Sequence, residues 1–590
     1  RTHDMSNLGP QQQNTSYDGI LQIPGGVTAQ LQQVQDGEGR STGLWLSSAG
    51  TNAATADSFT VSIDGTVVPN VVPRLISDGL GDCVSVKDFG ATGDGVTNDT
   101  AAIIKAFGYL SSGKSLFFPA GTYIYNNNQT TGSPVVLNGL SNVAIFGAGS
   151  TIQLGTNTSF VSLKNCTNFV FDGLNFQGTL SNTQRYIGNE AQGCIYLNVF
   201  GNDANPGASQ VSISNCSWYD CSGSTYLVTN NTGISITNNN FIRCHAPVVV
   251  SNAWTNVRVN NNYFLGHTYS SADTGSDDQI AVFSAIYDSS GIVVSNNVID
   301  KQGPTAYNQA HAILVQASGT VMSDVVVSNN VIKNVITTGN QASVALEISS
   351  QTSASLKLKN VVVSGNSILN SSTGFLSQGK ISGFSLDGNN IDTVVYNSSI
   401  PSIYQSGNGI YFISSSSPSD VSVVNNVVKN CDKSGIYLNP GSNYVINNNL
   451  VDTAGYSGIS ADTVTGATII SGNIVTNVTG TGWGISLNQI SNANVSNNVV
   501  TNCSVYGFRI GGSAFSGLFS GNYLSGNGSN LIDYTTNQPI SYVSNFGIGT
   551  NSISGTGTLG HNLRGSATFS GGTSVSVDRK STRLNSSHIP

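Results

Sequence analysis

From the middle of the chain onward one short phrase recurs. Aliphatic residues alternate with small polar ones, a polar pair ends in Asn, and aliphatic residues resume: ISITNNNFI, VRVNNNYFL, VVVSGNSIL, FSLDGNNI, VINNNLV, IISGNIV. Aligned on one Asn, the phrases fall at Asn239, Asn261, Asn297, Asn330, Asn366, Asn389, Asn426, Asn448, Asn473, Asn498 and Asn522, with ISNCSW at Cys216 as an earlier rung. The steps are 22 to 25 residues, interrupted by longer ones of 33 to 37. Short, β-branched, alternating runs predict strands. Three such strands with their turns fill one step, so each step predicts one coil of a parallel β-helix, an all-β solenoid. Coil stacks on coil, and like residues lie above like. The recurrent Asn then has two jobs, adopting left-handed backbone at a sharp turn and bonding through its amide to the Asn above and below.

A stack of this kind has open ends with unpaired backbone groups. The segment TNDTAAIIKAFGYL predicts a helix that closes the first coil, capped by Asn98 or Asp99, with Ile103, Ile104 and Phe107 as its apolar stripe. The glycines before it, Gly90, Gly93 and Gly95, do not form GxGxxG, and no GK[ST] follows, so a phosphate loop is not expected.

Composition narrows the function classes. Only 9% of the residues are charged and the net charge is -8. That argues against nucleic acid, which needs basic clusters. No apolar run reaches the roughly 20 residues of a membrane-spanning helix, so no membrane insertion is expected. The eight cysteines (Cys83, Cys166, Cys194, Cys216, Cys221, Cys244, Cys431, Cys503) show no CxxC pair and are expected as buried, reduced, small hydrophobes. No signal peptide opens the chain, which starts at Arg1 with Met5 as an alternative beginning. The final stretch, DRKSTRLNSSHIP at 578–590, resembles the translation of a common sequencing adapter and is set apart from the fold. A natural C-terminal segment is therefore expected to be lost.

VKDFGATGDGVTNDTAAIIKAF followed by LFFPAGTYIY resembles the opening of the pectate-lyase-like superfamily, especially bacteriophage tailspikes and related polysaccharide-degrading β-helix proteins. With the repeats the resemblance spans residues 83–545, of which 83–125 form the capping segment. It implies a right-handed, single-stranded parallel β-helix, often a homotrimer, that binds or degrades acidic or surface polysaccharide. Upstream, DGILQIPGGVTAQLQQVQDGEGRSTGLWLSSAGTNA resembles the head segment of phage virion proteins. Residues 1–82 are then expected as a small head that attaches to the phage tail or baseplate, and 546–577 as the start of a C-terminal region.

In this superfamily the sugar groove lies on the sheet built from the strand after the long connection, here PVVVS, QIAVF, HAILV, VALEI, GIYFI, GIYLN and GISLN. Setting SDDQIAV under QAHAILV aligns Asp278 with His311, Ile280 with Ile313 and Val282 with Val315. The first phrase resembles the Asp-Asp motif of polygalacturonase-type glycosidases and the second their His-Gly motif, although Ala312 replaces the Gly. Asp277 and Asp278 repel each other, which raises one toward the role of acid, while the other acts as base or nucleophile. His311 would orient or protonate substrate, and Glu347 on the next coil is a partner carboxylate. Asp273 is a candidate for sugar or cation. Trp254, Tyr287, Tyr307, Tyr411 and Tyr437 are candidates for stacking on sugar faces, with core packing as the alternative for each. Arg509 is a candidate for an anionic sugar, with a solvated face as its alternative.

These residues point to a phage tailspike-like protein that binds and cleaves bacterial surface polysaccharide, as a glycosidase before a lyase. A non-catalytic receptor-binding fibre is the alternative, and a free secreted pectin-degrading enzyme the third. A glycosidase needs no cofactor or metal; a lyase would call for Ca²⁺ and a Lys or Arg, for which Lys301 and Arg243 are available. The expected location is the virion, after synthesis in the bacterial cytoplasm, or outside the cell for the free enzyme.

Overall fold

The computed structural model describes residues 82–547 apart from the stretches 128–134, 156–157, 180–194, 198–206, 222–224, 228–230, 252–253, 267–277, 285–287, 303–309, 338–342, 351–357, 401–405, 414–417, 513–514 and 536–539. It also describes the short strands Gln32–Gln35, Ser41–Leu46 and Gly557–Leu559. Of the expected head, the first two of these form an antiparallel pair.

Alternating β-branched residues dictate the repeating unit. Each coil contributes three short strands, such as Ala310–Ala317, Met322–Ser328 and Val331–Val335, and the next coil repeats them as Ser343–Ser350, Leu358–Ser364 and Ser367–Ser371. First strands pair only with first strands of neighbouring coils, and likewise for second and third, always in parallel. Inward residues stack without offset: Ile313 on Leu346, Val325 on Val361, Ile332 on Ile368, all buried. The third-strand row is aromatic on earlier coils, where Phe176, Trp218, Phe241 and Phe264 lie ring on ring at 5.2, 4.9 and 4.8 Å. Such offset stacking gains about 0.5–1.5 kcal/mol per pair beyond burial.

The turn between second and third strands divides the two expected jobs of Asn between consecutive residues. The first takes the left-handed conformation: Asn238, Asn261, Asn296, Asn329, Asn425, Asn448 and Asn497 have φ near +56°, and Gly365, Gly388, Gly472 and Gly521 replace Asn there. The second, fully buried, builds the amide ladder: Asn239, Asn262, Asn297, Asn330, Asn366, Asn389, Asn426, Asn449, Asn473, Asn498, Asn522 and Asn545. In each rung the Oδ1 of one Asn accepts from both the backbone N–H and the Nδ2 of the Asn one coil earlier, as Asn366 does from Asn330 at 3.0 and 2.9 Å. The freed Nδ2 hydrogen goes to a backbone carbonyl, Val294 O in the case of Asn330. Cys216 supplies the expected earlier rung, donating its backbone N–H to Asn239. Two expected ladder positions shift by one residue: Asn261 and Asn448 are the left-handed members of their pairs, and Asn262 and Asn449 carry the rungs.

The expected helix forms over Thr100–Tyr109. Ala102, Ile103, Ala106 and Phe107 are its buried face, with the Phe107 ring edge-on to Phe160 at 5.3 Å. Ile104 is not part of that stripe; it is 38% exposed, because the helical period groups 103 with 106 and 107. Asn98 Oδ1 accepts from the N–H of Thr100, while the Asp99 carboxylate takes the N–H groups of Thr92 and Gly93. The glycine-rich stretch thus folds onto its own Asp.

Cys166, Cys216, Cys221, Cys244, Cys431 and Cys503 are buried free thiols, whereas Cys83 is exposed at the beginning of the first described coil; Cys194 lies outside the described residues. Among the described residues no helix is long and apolar enough to cross a membrane.

Asn330→Ala removes a rung and leaves Asn297 N–H and one of its two Nδ2 hydrogens with no acceptor in a dry interior, a loss of about 2–4 kcal/mol. Asn329→Gly keeps the left-handed turn and is expected to change stability by less than about 1 kcal/mol. Thermal unfolding midpoints of the two variants check this, and equal losses would contradict the division between the two residues.

Candidate functional site

The first-strand ladder carries inward residues to the core and, between them, a row on the opposite face. From coil to coil that row reads Ala281, Leu314, Glu347, Leu376, Tyr411, Tyr437, Ser460, Ser486, Arg509. Burial of Leu314, Glu347, Leu376 and Tyr411 shows that it is partly covered, and Val344, Leu376 and Tyr411, with Tyr437 and Ile413 against them, form an apolar cluster separate from the core.

The register places Ile280 on Ile313 and Val282 on Val315, so Asp278 lies one coil below His311, as the alignment of the two phrases expects. Asp278 Oδ1 accepts from the His311 backbone N–H at 3.1 Å and sits 2.7 Å from His311 Nδ1. On the other side His311 Nε2 is 2.9 Å from Glu347 Oε2. The second oxygen of Glu347 accepts from Gln378 Nε2 at 3.0 Å. Three residues separated by 33 and 36 positions therefore form one buried line, carboxylate, imidazole, carboxylate, across three successive coils.

Burial alone would push His311 toward its neutral form. The carboxylates of Asp278 and Glu347 outweigh that and raise its pKa to about 10, so the ring is an imidazolium at neutral pH, donating from both nitrogens. Burial likewise works to raise Glu347, but hydrogen bonds and charge from His311, with bonds from Ser349 and Gln378, leave it below the ordinary carboxylate value. A charge so placed is stable only as part of the set, since removing one partner strands the others in a low-dielectric site. Chemically, the line offers an ionised carboxylate and a proton-bearing imidazolium at fixed positions.

The other candidates separate. Tyr411 and Tyr437 follow Glu347 on the row, their rings stacked at 4.7 Å and 4°. Arg509 lies further along the same row. Trp254 does not belong to this face: it starts a second strand, is fully buried in the core, and donates its indole N–H to Phe283 O at 3.1 Å. Asp273, Asp277, Tyr287 and Tyr307 lie outside the described residues. Arg243 is held by Asp220 through two bonds of 2.8 and 2.6 Å on a third-strand end, and Lys301 is buried after another third strand, so they do not join His311. Among the described residues no group of His, Cys, Asp or Glu is arranged to hold a metal ion. Gln378 was not foreseen, although TGFLSQ aligned on VALEIS would have placed it beside Glu347.

Residues 83–304 match the family model described as rhamnogalacturonase A/epimerase, pectate lyase-like. Residues 285–475 and 382–547 match that of the right-handed β-helix region. In sequence, the mannuronan C5-epimerases AlgE5 and AlgE2 of Azotobacter vinelandii are each 46% identical over 67 residues, which is 11% of this chain and only 7% of either epimerase. Among solved structures, the tailspike protein of E. coli bacteriophage HK620 is similar with a TM-score of 0.42 and 14% identity, over 78% of this chain and 84% of the tailspike. The catalytic unit of a GH87 α-1,3-glucanase from Streptomyces thermodiastaticus is similar at 0.40 and 14%, over 82% and 68%. The chain is thus a right-handed parallel β-helix, whose first part, residues 83–304, is similar to the pectate-lyase-like family and whose remainder, to residue 547, matches the general β-helix region.

Proposed function

We propose that this protein binds a polysaccharide along the outer face of its first-strand ladder and cleaves it at Asp278, His311 and Glu347. The observation that carries this reading is the buried carboxylate–imidazolium–carboxylate line itself, built by three coils in a chain with few charges. Breaking a glycosidic bond requires a proton for the departing oxygen and a carboxylate for the sugar carbon or the attacking water. Glu347, kept ionised by His311, is the carboxylate. His311 and Asp278 hold the proton on the other side, with Asp277 next to them in sequence. Tyr411 and Tyr437, two and three coils beyond Glu347, stand about 10 and 14 Å along the row, within the reach of the next sugars.

The finer reading is a tailspike: a homotrimer held to a phage tail through residues 1–82, acting on the surface polysaccharide of a bacterium. The likeness of the segments at 18–53 and 86–125 to phage proteins supports it. A second chemistry, removal of the proton beside a uronate carboxyl by Glu347, is favoured by the epimerase in the family description and by the short likeness to mannuronan epimerases. It leads to elimination or to inversion of the sugar.

The deciding assay incubates the protein with a panel of capsular and acidic polysaccharides. Shortening with new reducing ends and no ultraviolet absorbance is expected; absorbance from unsaturated uronate, or a changed sugar composition at constant length, would assign the second chemistry. Binding without either change would leave a receptor-binding fibre.

Glu347→Gln and Asp278→Asn remove charge with little change of shape, the Gln giving up one of the two bonds that the Glu347 oxygens accept, and each is expected to lower turnover at least about a hundredfold with circular dichroism unchanged.

The pH profile follows from the same charges. Glu347 must be ionised and is held below its usual value, while His311 must be protonated and stays so up to about 10. Activity is therefore expected to be flat through neutrality and to fall only as pH rises toward 10 or drops below the ordinary carboxylate range. A fall centred near the free imidazole value of about 6.5 would sink the assignment of His311.

A further inference from the structure

Six coils beyond Glu347, about 29 Å along the same row, stands Arg509. Its guanidinium carbon lies 4.5 Å from the centroid of the Trp483 ring and 5.8 Å from that of Tyr534. Tyr456 meets Trp483 edge-on at 5.4 Å, and the Tyr506 hydroxyl hydrogen bonds to Tyr534. Register explains the assembly: Trp483 and Tyr506 begin successive first strands as register partners, and Arg509 stands three residues further along the second of them.

Two features set this patch apart from ordinary surface. Arg509 pairs with no carboxylate among the described residues; its one side-chain hydrogen bond is a long one, 3.4 Å, to Ser486 Oγ. Arg243, by contrast, is neutralised by Asp220. Around this uncompensated charge, Tyr456 and Tyr534 are 43% and 53% exposed, so large ring surface is left in water beside a cation. A neutral apolar partner would cover the rings but strand the guanidinium, and a simple anion would satisfy the charge but leave the rings wet. An acidic sugar satisfies both. Its carboxylate matches the planar fork of donors on Arg, and its C–H face covers an aromatic ring.

We propose that Trp483, Arg509 and Tyr534, flanked by Tyr456 and Tyr506, form a binding subsite for a uronate residue of an acidic polysaccharide. The subsite extends, and rests on, the polysaccharide reading of this face, but needs none of the chemistry at His311. With pyranose units spanning about one coil spacing each, a polymer seated on Arg509 reaches the Glu347 line with a half-dozen sugars. The protein then grips an internal stretch of chain rather than an end.

The test uses the full-length Glu347→Gln protein, so that binding is read without turnover. Hexamers of mannuronate and galacturonate, with maltohexaose as the neutral control, are titrated by calorimetry and by tryptophan fluorescence. Of the four tryptophans, Trp218 and Trp254 are buried and Trp45 lies in the N-terminal region, and the contribution of Trp483 is identified by the difference that Trp483→Phe makes. At least one acidic hexamer is expected to bind, more weakly at high salt, and Arg509→Met to weaken it at least tenfold. Arg509→Lys is expected to recover part of that loss, and the thermal midpoint to stay unchanged. Equal affinity for maltohexaose, binding indifferent to Arg509→Met, or no binding by either acidic hexamer would overturn the subsite. Cleavage activity lost in Glu347→Gln but retained in Arg509→Met would separate a failed subsite from a failed active site, and acidic binding without cleavage in the native protein would do the reverse.

Discussion

The buried amide ladder is the interaction on which the rest of this structure depends. A parallel β-helix has to turn sharply between its second and third strands in every coil, and the turn points backbone N–H groups into a space that water does not enter. Each ladder Asn accepts from the coil before it and donates to a carbonyl, so that the turn of one coil is satisfied by the side chain of the next. The requirement is absolute in register. An Asn displaced by one residue would leave both an unsatisfied N–H and a polar amide in the core, each costing about 1–3 kcal/mol. Stability is consequently a sum of neighbour contacts along one axis, and the ladder fixes which residue sits above which for every other row.

The candidate site is a consequence of that fixed register. Asp278, His311 and Glu347 have no proximity in sequence, yet register sets Asp278 under His311, and Glu347, three residues past the register partner of His311 on the next coil, reaches back to its Nε2. The same geometry sets their electrostatics. Because the row is partly covered, the imidazole can remain charged only with a carboxylate on both sides, and Glu347 can remain ionised only with His311 and Gln378 against it. The line is thus preorganised by the scaffold, with little freedom to relax when a substrate arrives.

The solenoid was legible because its period is long-lived and its aliphatic flanks alternate. The register of Asp278 on His311 was legible for a related reason: QIAV and AILV are near-identical frames. What escaped the sequence did so through local degeneracy. In the triplets at 238–240, 260–262 and 447–449, Asn occupies every position, so nothing in the residues says which is left-handed and which is the rung; the choice is made by the neighbouring coils. Trp254 was misplaced because a large aromatic beside a polar pair fits an outer face as well as a core, and only its position at the start of a second strand turns it inward. Gln378 escaped because its coil follows the third strand almost at once, with no connection to mark where a new first strand begins.

Those connections also distinguish the two ends of the outer row. Before the strand that follows Asp278 and the strands that carry His311, Glu347 and Tyr411, the chain inserts residues 266–279, 301–309, 336–342 and 395–409. Before the strands at Ser457, Trp483 and Tyr506 it inserts 455–456, 479–482 and 502–505. In a solenoid such insertions gather on one face and mark where a ligand is held. The proposed site at Asp278, His311 and Glu347 accordingly lies beside the longer connections. The Arg509 patch sits where they are minimal. There the sheet itself is the surface, and recognition has to come from side chains that rise from the strands. Aromatic rings around a guanidinium are the means this sequence supplies, and in the proposed subsite an Arg with no carboxylate partner among the described residues, on a chain of net charge -8, would favour an acidic polymer that the rest of the molecule would repel.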